Sequence, residues 1–156
     1  VKRAIKNLIL DAVVAQLAAG TYPKPLAVCK RGNPNAVQAK GRPQPAIYVY
    51  GAVRTSDVVA NPLQFNEMEI VVVCLAMATE DTQEDVGNEY EASIEEALAD
   101  DNALIIDLGD GVKIGADVQL LGGRVIAGGE QPAQACVTAI YKVAYSTGLG
   151  TPRGMR

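Results

Sequence analysis

Apolar residues near the start of the chain recur with a helical period. Within residues 2–19, Ile5, Leu8, Ile9, Ala12, Val13 and Leu17 fall at i, i+3, i+4 and i+7 spacing, beside a narrower polar stripe of Lys2, Arg3, Lys6, Asn7 and Asp11. The pattern predicts an amphipathic helix with one face against a core. Gly20 offers the left-handed conformation that ends many helices, and Pro23 and Pro25 prevent the helix from resuming. Residues 26–30 (LAVCK) read as a short strand. Residues 31–45 follow, with Arg31, Lys40 and Arg42 among glycines and prolines and almost no large apolar side chain. Such a composition predicts an exposed loop long enough to carry an interface.

The period then changes to two. Residues 46–50 (AIYVY) form a β-branched and aromatic strand, and a polar link containing Asn61-Pro62 leads to the longest strand signal, residues 65–77. Glu67 and Glu69 point to one face of that strand and Met68 and Ile70 to the other, while residues 71–75 (VVVCL) are apolar on both, as in a strand covered on both sides. A second helix is predicted over residues 82–99, with Val86, Tyr90, Ile94, Ala97 and Leu98 as its apolar stripe and Asp81 or Thr82 as its cap. Beyond the tight-turn pair Asp110-Gly111, residues 112–119 alternate. Gly122-Gly123 and Gly128-Gly129 bracket a short segment, residues 124–127. The last strand, residues 135–146, places Val137, Ala139, Tyr141, Val143 and Tyr145 on one face. Residues 147–156 lack a core pattern and read as a flexible C-terminal tail. Helix, strands, helix, strands, without sustained βαβ alternation, predict one α+β domain over residues 1–146. Its expected core is a mainly antiparallel sheet of about four to five strands packed with two helices.

Composition narrows the chemistry. The 156 residues include no histidine and no tryptophan. Without histidine, Ser-His-Asp and Cys-His nucleophiles, histidine metal sites and imidazole acid–base work are all excluded. Cys29, Cys74 and Cys136 have no CxxC spacing, so they are expected to be free thiols packed as small hydrophobes in a reducing, intracellular place of synthesis. No P-loop motif is present, and the glycines of residues 148–154 do not follow a strand and open a helix as a dinucleotide fingerprint would. Asp107 to Gly111 lacks the ligand spacing of a calcium loop and fits a hairpin turn. No apolar run is long enough to span a bilayer, and Asp11 and Gln16 interrupt the N-terminal one, so no membrane partner is expected. No catalytic residue, cofactor or metal ligand is therefore expected; a small enzyme using its acidic residues is the weakest of the readings.

The formal net charge of −4 hides a division. Residues 1–56 carry nine Lys/Arg against the single acidic Asp11, a net +8; residues 57–156 carry five against seventeen, a net −12. Between Glu80 and Asp101 there are ten acidic residues and no basic one. Like charges four apart on a helix, as at Glu91/Glu95, cost a few tenths of a kcal/mol each. Such a face is either simply solvated or meets a basic surface. The basic third lacks interleaved aromatic residues and any recognised motif, which argues against a dedicated nucleic-acid module.

Four segments carry a resemblance to a known family: residues 45–50 (PAIYVY), the long strand from Glu67 to Met77, the acidic helix over residues 82–99, and the closing strand from Ala135 to Tyr145. In this layout the chain resembles the tail terminator (minor tail, or tail-completion) proteins of long-tailed bacteriophages. The resemblance implies a structural virion protein at the head–tail junction, assembled in the host cytoplasm. It implies a homohexameric ring that caps the head-proximal end of the tail tube, ends tube polymerisation and presents a surface to the head connector. The implied partners are a second copy of the chain, the tail tube protein and a head-completion protein, with DNA passing transiently through the lumen. A head–tail connector or stopper of the neck is the alternative with a similar layout. A heterologous ring needs two complementary surfaces per subunit. The charge division suggests a pairing of Arg31, Lys40 and Arg42 on one copy with Glu84, Glu91 and Glu95 on the next.

Overall fold

The computed structural model describes residues 4–33, 43–60, 63–79, 81–98, 104–109, 112–127 and 134–148. Helix α1 (Ile5–Ala18) comes first, then strands β1 (Val28–Arg31), β2 (Ala46–Ala60) and β3 (Leu63–Met77). Helix α2 (Gln83–Leu98) separates these from β4 (Leu104–Gly109), β5 (Val112–Ala127) and β6 (Gln134–Gly148). The α+β class is as expected.

The sheet differs from the expected four to five mainly antiparallel strands. Six strands run in the order β1-β2-β3-β6-β5-β4, and β1 pairs with β2 in parallel, so the sheet is mixed. A parallel neighbour needs a connection of roughly a dozen residues or more, and the segment between β1 and β2 supplies it. The polar link expected after residue 50 is largely strand. β2 continues to Ala60 and pairs with β3 as far as Ala60↔Leu63, with a register irregularity between Gly51 and Thr55. Of the two glycine pairs expected to bracket residues 124–127, Gly122-Gly123 lies inside β5, which stays continuous through an irregularity between Leu120 and Gly122, and Gly128-Gly129 lies outside the described residues. β6 also runs to Gly148, two residues past the predicted end, with Leu63↔Gly148 as its last pair.

Both helices pack on one face of the sheet. α2 lies on β5 and β6, while α1 touches β1 and β4, the two edge strands, as well as β2 and α2. A helix that reaches both edges of a six-stranded sheet requires the sheet to curl around it, and it shields edges that would otherwise invite pairing. Ile5, Ile9, Val13 and Leu17 of α1 join Tyr90, Ile94 and Leu98 of α2 in the main core. The sheet contributes Ile70, Val72 and Cys74 of β3 and Val137, Ala139, Tyr141, Val143 and Tyr145 of β6. These β6 residues are the face that strict alternation predicts. A second cluster, Ala46, Tyr48, Val71, Val73 and Leu75, occupies the outer face, so the middle of β3 is buried on both sides.

Gly20 ends α1 for a reason other than the one expected. Its amide bonds the Leu17 carbonyl at 3.1 Å, but among the described residues the positive φ belongs to Gly32, at 135°. A Cβ at Gly20 would lie 2.9 Å from the Ala97 Cβ and 3.0 Å from the Tyr22 hydroxyl. Glycine is needed there because α2 passes close.

Candidate functional site

The acidic surface is built by α2. Its buried stripe is Gln83, Gly87, Tyr90, Ile94 and Leu98, spaced three and four apart as one helix face requires. Every carboxylate therefore falls on the remaining faces. Glu84, Asp85, Glu89 and Glu96 are exposed, and Glu91 and Glu95 are half-buried along the flank. Glu84 and Asp85 lie in the first turn, where the helix dipole favours negative charge. The last turn holds no basic residue. Before the helix, the Thr79 amide donates to the Thr82 hydroxyl oxygen at 3.0 Å, and the Thr82 amide donates to the Thr79 carbonyl at 3.1 Å, which fixes the entry of the chain. Glu91 and Glu95 lie near Tyr141. Burial first, then the Glu95 and Glu91 charges, hold the Tyr141 phenol well above its ordinary range. Its hydroxyl is buried and makes no hydrogen bond.

The basic side is only partly available. Arg31, at the end of β1, donates from Nη1 to Asp11 Oδ1 at 3.1 Å and from Nη2 to Asn7 Oδ1 at 2.9 Å. Both of its partners are on α1, so Arg31 ties the edge strand to the helix inside one protomer. Lys40 and Arg42 lie outside the described residues. Lys24 and Lys30 are exposed, and the Lys30 Nζ stands 5.9 Å from the centre of the Tyr48 ring, within reach of a weak cation–π contact. Of the predicted pairing only Arg31 and the α2 carboxylates are described: β1 packs on β2 and α1, whereas α2 packs on β5, β6, β3 and α1.

Described residues line hollows on both sides of the fold. One, about 270 Å³, lies between the end of α1 and α2 beside Gly20, where Gln16 Nε2 donates to the Ala97 carbonyl at 2.9 Å. The other, about 330 Å³, crosses the outer sheet face beside Phe65. Sequence reasoning missed this second hollow, because its floor depends on strand register. The three cysteines are free thiols. Burial raises all three, and Cys74 is pushed up to about 12. Among the described residues no group of three or more Cys, Asp or Glu is placed to hold a metal ion, and no helix is long and apolar enough to cross a membrane.

Fold and surfaces together define a class: a mixed, curled α+β sheet around two helices, one of which, α2, presents only acidic charge on its solvent-facing sides. No protein-family model matches the chain, and a search of curated proteins gives no significant match.

Proposed function

We propose that this protein is a structural subunit that forms a ring on the head-proximal end of a phage tail tube, ends tube polymerisation and offers a surface for head joining. The observation that carries the reading is the unspent acidity of α2. Among the described residues, none of its six carboxylates from Glu84 to Glu96 is in a salt bridge, although each is at least partly solvent-facing. In the ring, the basic segment that follows β1 of the next copy supplies the cations that balance them. Each subunit thus carries two unlike charged surfaces, as a head-to-tail ring requires, and complementary potentials set register and speed association.

Purified protein added to growing tail tubes tests the function directly. It should halt elongation and appear as a cap at one end in electron micrographs. Native mass spectrometry should show a closed oligomer that Glu91→Lys with Glu95→Lys weakens. A protein that ignores tubes but assembles on the portal complex would be a neck connector instead. A protein that stays monomeric would refute the ring.

A further inference from the structure

The chain has a single phenylalanine, and it is on the surface. Phe65 is 49% exposed and walls the groove of about 330 Å³ on the sheet face turned away from the helices. Register explains the groove. Phe65 pairs with Ser146, and Glu67 pairs with Ala144, which on its other side pairs with Asp117. Gly115, two residues before Asp117, completes a floor of Gly115, Ala144 and Ser146, where side chains all but vanish. Beyond Gly115, its β4 partner Ile105 is 62% exposed. The hollow therefore lies between exposed apolar side chains, with carboxylates on both sides of Ala144. Lys142 Nζ meets Glu67 Oε1 at 3.3 Å across an exposed pair, of the kind that contributes little and exchanges readily.

We propose that this groove receives an arginine or lysine side chain, with an adjacent apolar residue, from a segment of a protein other than a second copy of this chain. The aliphatic stem of such a side chain lies along the Phe65 ring, where its charge also gains from the ring face. The cationic head sits between Glu67 and Asp117 and donates a charge-assisted hydrogen bond to the carboxylate on each side. The neighbouring apolar residue rests between Phe65 and Ile105. Another copy is a poor occupant: residues 57–156 carry a net −12 and are repelled by this rim, while the ring reading places the basic third against α2. The exclusion of a second copy rests on that ring reading, whereas the preference of the groove for a cation does not.

The lone phenylalanine makes the test simple, since biosynthetic 4-fluorophenylalanine places one fluorine reporter in the groove. The full-length labelled protein is titrated with the peptide N-acetyl-Leu-Arg-Val-amide and with the same peptide carrying citrulline for arginine. The arginine peptide should give a saturating shift of the fluorine line. The citrulline peptide should bind at least tenfold more weakly, as should the arginine peptide to the Glu67→Gln/Asp117→Asn protein, whose circular dichroism should match wild type. The inference is overturned by no shift, by equal shifts with both peptides, or by a line that moves with protein concentration alone, which would put a second copy in the groove. The oligomeric state, read separately by native mass spectrometry, decides the ring reading whichever way the titration falls.

Discussion

Replacing Tyr141 with phenylalanine should stabilise the protein, which is unusual for a change to a core residue. Tyr141 is 3% exposed, and its hydroxyl is buried without a hydrogen-bond partner. A buried hydroxyl left unpaired costs about 1–3 kcal/mol of desolvation. Phenylalanine keeps the ring and its packing and removes only that oxygen, so Tyr141→Phe should gain about 1 kcal/mol. Tyr22 provides the internal control. Its hydroxyl donates to the Leu17 carbonyl at 2.6 Å, so Tyr22→Phe should lose about 1 kcal/mol, the net worth of an ordinary hydrogen bond, while its stacking against Tyr90 at 6.4 Å survives. For a chain of this size, 1 kcal/mol moves the melting temperature by about 2–4 °C. The two variants should therefore move in opposite directions from wild type, in calorimetry and in urea unfolding at neutral pH. If Tyr141→Phe is destabilised as much as Tyr22→Phe, the Tyr141 hydroxyl has a partner, such as a water held against Glu91 or Glu95, and the reasoning fails.

Gly20→Ala should cost about 1–3 kcal/mol by overpacking, because its Cβ would meet the Ala97 Cβ at 2.9 Å. Adding Ala97→Gly should recover part of that loss in a double-mutant cycle of urea midpoints. Glu96→Lys places a cation in the last turn of α2, which has none; it should stabilise by about 0.3–1 kcal/mol, measured by thermal unfolding at low salt. Cys74 titrates from 9.0 unfolded to about 12 folded, so between those values the folded state holds a proton that the unfolded state has released. Its contribution to stability is complete below pH 9 and declines as pH rises toward 12. Urea midpoints should fall less steeply across that range in Cys74→Ala than in wild type, and equal slopes would contradict the buried thiol.

The parts of this fold that were legible in the sequence are those whose side-chain period repeats long enough to be unambiguous. Ile5 to Leu17 and Tyr90 to Leu98 show a helix face, and Val137 to Tyr145 an alternating strand, because each packs one face on one core. The second half of β2 was not legible. Arg54, Thr55, Ser56 and Asp57 read as a link, yet the backbone ladder to β3 continues past them, with Ser56↔Glu67 and Asp57↔Asn66 in register. Pairing there is set by the hairpin partner and not by an apolar stripe. The groove was illegible for a related reason: Gly115, Ala144 and Ser146 are unremarkable in sequence and form a floor only when register sets them side by side.

Charge shows the opposite failure, since the sequence displayed it openly but counting overstated it. The first 56 residues hold one acidic residue, Asp11, and the structure places it 3.1 Å from Arg31. One predicted interface cation is thereby used to hold β1 against α1. The carboxylates of α2 have no such internal use among the described residues. The two parts of the charge division therefore differ: among the described residues the α2 carboxylates from Glu84 to Glu96 form no salt bridge, whereas Arg31 of the basic third is spent within the protomer.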